Sequence, residues 1–278
     1  MNNRRKRVKN NNDSGIRMSW NIRCMLCLLP SILGITLFYI IPYLRILYYS
    51  IINNQFQRKL VWFQNYIETF RNPYFILALK NSLLLIFLAV PLLIGIAVLL
   101  SILLNFTLNK IPLVRDGLIF PFFLPTAAIV LVWQQLFSWT ETVTPIYLLF
   151  IWKNLGICLI LLTAALTTIS KSIYEAARVD GGKGLYLHLK ITLPCITPAI
   201  FFTVLLSIVN SFKIFKESYL YYGNKYPPDH SYTLQFYMNN NFLKFDYQAL
   251  ATSSILTSIL VLLIVAIGLL IQRRYQSY

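Results

Sequence analysis

Six apolar stretches, each about twenty residues or longer and nearly free of charge, recur along the chain, at 24–50, 81–104, 118–137, 145–166, 198–219 and 251–272. A helix needs about 20 apolar residues to cross a hydrocarbon core of roughly 30 Å, and a soluble domain has no interior large enough to hide six of them. With 57% hydrophobic residues, 12% charged residues and a mean hydropathy of +0.62, the composition points the same way. The expected fold class is all-α and polytopic, with six transmembrane helices. It divides into a basic tail 1–23, a membrane domain 24–272 and a short tail 273–278.

The first stretch is too long for the h-region of a signal peptide and lacks a clear small-residue cleavage site, so it reads as a span, bent near Pro42. Six spans return both termini to one side. On that side fall fifteen Lys and Arg, among them Arg4, Arg5, Lys6, Arg7, Lys9, Arg17, Arg23, Lys110, Arg115, Arg273 and Arg274, against eight on the other. The bias places both termini in the cytoplasm of a cell-membrane protein.

A net charge of +16 raises the question of nucleic acid, but the cations lie in short loops between apolar segments and form no continuous face. No nucleic-acid partner is expected. Cys24 and Cys27 have half-site spacing without a second pair or a histidine cluster, so these two, Cys158 and Cys195 read as buried, inert thiols. Aromatic residues of the outer loops, Trp62, Phe63, Tyr66, Tyr74, Tyr226, Tyr232 and Phe236, read mostly as anchors at the membrane interface.

The segment 170–194 reads SKSIYEAARVDGGKGLYLHLKITLP between the fourth and fifth spans. Ser172 followed by Glu175 is a capping-box pattern and starts a short helix. Ala176 and Ala177 favour that helix and give it a small-sided surface. Asp180, Gly181 and Gly182 stop it, since glycine readily takes the left-handed conformation that ends helices. A second helix runs from Lys183 towards Thr192 until Leu193 and Pro194 break it.

Glu175, Ala176, Ala177, Gly181, Ile191, Leu193 and Pro194 together fill the signature loop of permease subunits in binding-protein-dependent ABC importers, and the chain resembles that family over most of its length. The resemblance is nearest to carbohydrate permeases of the maltose-transporter type. It is supported by WFQNYIETFRNPYFILALKNS before the second span and RDGLIFPFFLPTAAIVLVWQQLF through the third, a helix interrupted by prolines. It implies the type I importer permease fold, two ABC ATPase subunits, a second homologous permease and an extracytoplasmic solute-binding protein. It also implies that the short helix docks on the ATPase and transmits its closure. No phosphate-binding glycine loop followed by Lys-Ser or Lys-Thr is present, so ATP hydrolysis belongs to a partner chain and no cofactor is expected. The outer loop departs from the family's Gly-Gly-Pro turn, with Gly223 and Pro227–Pro228 as loose counterparts.

Gln134, Gln135, Asn210, Ser211, Phe212 and Lys213 lie in or near spans, where polar groups either line a pathway or join helices. Gln134, Asn210, Ser211 and Phe212 are the candidates for a solute path. Amides and aromatic rings suit a sugar or oligosaccharide; polyamine, glycerol-phosphate or peptide uptake is the alternative within transport. Lys153 and Arg45 read as snorkelling cations, and Glu217 has no evident partner. A membrane-embedded enzyme or scaffold is the rival class, but no catalytic acids, histidine cluster or metal motif accompany the spans.

Overall fold

The structure, a computed structural model, describes residues 27–106, 112–138, 142–223 and 226–276. The basic tail, Cys24, Lys110, Glu141, Lys225 and the side chains of Arg115 and Arg274 lie outside the described residues. In chain order the helices are α1 (Cys27–Ser50), α2 (Gln64–Arg71), α3 (Pro73–Phe106), α4 (Pro112–Phe123), α5 (Thr126–Leu136), α6 (Thr144–Thr167), α7 (Lys171–Val179), α8 (Gly184–Ser211), α9 (Phe215–Tyr222), α10 (Leu234–Leu243) and α11 (Tyr247–Gln276). An antiparallel bridge between Ile52 and Leu60 is the only strand-like pairing among the described residues.

Among the described residues, five helices, α1, α3, α6, α8 and α11, are long and apolar enough to cross a membrane. The expected third span is a broken one: α4 and α5 meet at 109°. Pro121 has no N–H to donate within α4, and Pro125 both starts α5 and excludes Leu124 from the helical region. Backbone groups freed at such a break survive at membrane depth only where protein covers them.

Two other prolines do not break their helices. The five-residue π turns Thr36–Ile40 and His188–Thr192 each end two residues before a proline, Pro42 and Pro194. In each, the amide that follows reaches back five residues, Ile41 to Thr36 and Leu193 to His188. The wider turn carries the proline ring clear of the carbonyl that it would strike in an α-helix. The helix leading into the fifth span therefore does not stop at Leu193 and Pro194, and α8 runs unbroken from Gly184 to Ser211.

The main core lies between α3, α6 and α8, with Leu93, Leu159 and Leu162 fully buried. Lipid is as apolar as leucine, so close van der Waals fit at small residues holds these helices together. Gly156 shows the fit: a Cβ there would stand 2.9 Å from the carbonyl oxygen of Ile119 and 2.9 Å from Cβ of Phe122, so α4 lies directly on α6.

A second core, away from α7, gathers Phe75, Ala78, Tyr232, Leu234, Phe236 and Tyr237. Tyr232 and Phe236 are thus buried rather than interfacial, because α10 folds back against α3 and α11; Trp62, Phe63, Tyr74 and Tyr226 are exposed, as anchors should be. Among the described thiols, only Cys158 is buried, whereas Cys27 and Cys195 are exposed.

Candidate functional site

The loop between α6 and α8 is built by local rules. Ser170, not Ser172, caps α7: its side chain accepts from the Ser172 amide at 3.3 Å, while Ser172 Oγ bonds Ser170 Oγ at 2.7 Å. The capping box with Glu175 therefore does not form, because the helix begins two residues earlier than the Ser172 pattern implies. At the other end the Gly182 amide donates to Ala177 O at 2.8 Å and the Gly181 amide to Arg178 O at 3.1 Å, the paired bonds of a Schellman cap. Gly181 sits at φ +85°, which a β-branched residue adopts only with strain.

The loop is fixed on one side and open on the other. Tyr174 is buried, and its hydroxyl lies 3.2 Å from Oγ1 of buried Thr192, which is also 3.3 Å from Nδ1 of His188. Glu175, Ala176, Asp180, Gly181 and Pro194 are exposed, and Ala177, Ile191 and Leu193 are half-buried. Around them Val179 is 87% exposed and Leu185 72%, with Ile173, Tyr186 and Leu189 also open. So much apolar surface on one loop marks an interaction surface, for protein or for membrane.

Towards the opposite end of α8 the polar candidates separate. Asn210 donates from Nδ2 to Asn154 Oδ1 at 3.1 Å and lines a cavity of about 180 Å³ with Phe122, Phe150, Lys153, Asn154, Lys213, Ile214 and Glu217. Gln134 lines a different cavity, of about 570 Å³, with Phe137, Ser138, Tyr221, Tyr222, Pro228 and His230, and donates to the carbonyls of Tyr221 (2.6 Å) and Leu220 (3.2 Å). Ser211 instead turns its hydroxyl back to Ile208 O at 2.7 Å within the core, and Phe212 packs between the two cores. Neither lines a cavity with the two amides.

Sequence reasoning overlooked the charged centre of the smaller cavity. Lys153 does not snorkel: Nζ forms an ion pair with Glu217 Oε1 and donates to Thr126 Oγ1 at 2.7 Å, with both charged side chains largely buried. Three elements, α5, α6 and α9, thereby meet at the break of the bent span. An ionisable residue within a span is itself the signal for such a site, although the partner, 64 residues away, lies beyond any local pattern.

This geometry, a bundle of spans with one broken at a polar cavity and an exposed two-helix loop, defines a membrane transport subunit. Residues 112–277 match the family described as binding-protein-dependent transport system inner membrane component, and the chain belongs to that family. Among relatives, the arabinooligosaccharides transport system permease protein AraP of Bacillus subtilis is 26% identical over an alignment of 269 positions that covers 86% of this chain and 84% of that protein. The lactose transport system permease protein LacF of Rhizobium radiobacter is 25% identical over an alignment of 283 positions, covering 91% of this chain and 94% of that protein. In fold the chain is similar to a chain of a bacterial ABC transporter involved in the import of the acidic polysaccharide alginate, with a TM-score of 0.76 at 23% identity, covering 94% of this chain and 98% of that one. The same class of transporter in complex with an alginate pentasaccharide-bound periplasmic protein gives 0.75.

Proposed function

We propose that the chain is a permease subunit of an ATP-driven importer of sugars or oligosaccharides, paired with a second permease, two ATPase subunits and an extracytoplasmic binding protein. Its termini and the loop 170–194 are cytoplasmic, in line with the bias of Lys and Arg. The loop is the coupling element. The observation that carries this reading is the capped helix α7, with its exposed apolar side chains outside the membrane-crossing segments and its fixed join to α8.

Closure of the ATPase pair pushes on α7. The Tyr174–Thr192 contact passes the displacement to α8, and α8 carries Asn210 into the cavity beside the broken span. A rigid span with a docking helix at one end and a cavity residue at the other converts closure at the nucleotide side into a change of access at the solute side. Gln134 and Asn210 are the polar groups proposed for the path. Glu217 pairs with Lys153 there, and Lys213 leaves the lining with one further positive charge. The relatives named for arabinooligosaccharides and lactose support the saccharide class.

The test is co-purification. Gly181→Val should leave membrane insertion intact and abolish recovery of the ATPase with this chain, whereas undiminished recovery would defeat the coupling role.

A further inference from the structure

A third recess, of about 300 Å³, opens at the end of the bundle away from α7 and shares no lining residue with the other two. Tyr74 at the start of α3, Tyr232 before α10, and Tyr237, Asn240 and Asn241 on α10 line it. Its frame is fixed. The Asn81 side-chain amide donates to the carbonyls of Asp229 and Tyr232, and Asn72 Nδ2 to the Tyr237 hydroxyl at 3.4 Å.

One amide in this recess is unfinished. Asn240 is only 5% exposed and bonds the Tyr232 hydroxyl through Nδ2 at 3.2 Å, yet Oδ1 has no partner. The neighbouring Asn241 side chain bonds the Tyr237 hydroxyl. Turning the Asn240 amide over exchanges which atom is satisfied and leaves the other orphaned. Buried polar atoms without partners are rare, and each calls for a missing partner. Asn240 lines the recess, so a hydroxyl reaches it by turning its side-chain amide about the broad χ2 torsion.

Beside these amides stand tyrosine faces. The Tyr74 ring, 63% exposed, meets Tyr232 edge-on at 6.4 Å. Burial pushes the hydroxyls of Tyr232 and Tyr237 up from their ordinary pKa, so both remain protonated donors at neutral pH. Asp229 and Lys244 bring opposite charges to the rim. An amide that lacks a partner, phenol hydroxyls, one open aromatic face and no net charge describe a surface for an uncharged ring bearing neighbouring hydroxyls.

We propose that this recess binds a terminal ring of a neutral saccharide at the outer face, ahead of the path through the bundle; the assignment rests on reading the chain as a saccharide permease. A ring hydroxyl completes Asn240, and the C–H face of the ring lies against Tyr74.

The experiment is saturation-transfer NMR with lactose and arabinotriose as probes, on the assembly purified through this chain in lipid nanodiscs without the binding protein. Tyr74→Ala, at an exposed position that leaves folding intact, and Asn240→Ala should each reduce the transfer at least five-fold, while Asn210→Leu leaves this outer signal in place. Transfer unaffected by Tyr74→Ala and Asn240→Ala but lost with Asn210→Leu overturns the outer site and spares the permease reading. Unchanged transfer together with weaker capture of the binding protein makes the recess a protein contact and also overturns it. No transfer to the wild-type assembly from either probe removes the saccharide reading along with the site.

Discussion

The hydroxyl of Tyr174 on α7 stands 3.2 Å from Oγ1 of Thr192 in the π turn of α8, and both side chains are buried. An otherwise exposed helix is thus attached to a membrane span by a specific polar contact. Tyr174→Phe keeps the ring and deletes that contact. It should cost about 1 kcal/mol of stability, leave ATPase recovery unchanged, and lower the solute moved per ATP hydrolysed. Uptake and phosphate release measured together in proteoliposomes give this ratio, and a wild-type ratio argues against the join as transmitter.

Gly156 is the point where α4 rests on α6. Because a Cβ there meets backbone as well as Phe122, Gly156→Val should destabilise by about 1–3 kcal/mol, with Gly156→Ala in between. Thermal unfolding in detergent, followed by size-exclusion chromatography, reads the order. Equal midpoints for all three proteins mean that the contact is looser than described.

Lys153 and Glu217 are a largely buried pair, and removing one partner strands the other. Glu217→Leu should therefore destabilise by about 3–5 kcal/mol, and adding Lys153→Met should recover most of the loss. If the double variant melts as low as the single one, the pair is not what holds α6 and α9 together.

Asn210 reaches Asn154 across the smaller cavity. Asn210→Leu should preserve assembly and ATPase recovery but slow solute uptake several-fold, because Asn154 loses its partner and the cavity loses an amide. Uptake kinetics that match wild type would take Asn210 out of the path.

Much of this was legible in the chain because its signals are local. Long uncharged apolar runs announce membrane helices, and Asp180-Gly181-Gly182 announces the end of α7, since a left-handed glycine is a requirement of one position. The start of α7 was read two residues late because Ser170 and Ser172 are equally good caps in isolation. The choice depends on where α6 lets the chain go. Pro194 looked like a break because the local rule takes no account of a π turn that makes room for the ring. Lys153 and Glu217, and the burial of Tyr232 and Phe236, are long-range facts set by how α9 and α10 fold back on the spans, and periodicity carries no trace of them.

Coupling through α7 is the centre of the account, and Val179, 87% exposed beside Asp180, is its best reporter. In a background with all four cysteines replaced, Val179→Cys treated with a short thiol-to-thiol crosslinker in native membranes should yield one adduct, with the partner ATPase bearing a cysteine in its docking groove. The yield should change with ATP. Modification of Val179→Cys by a membrane-impermeant thiol reagent added outside intact cells, with no ATPase adduct, would place the loop on the wrong side and contradict the account.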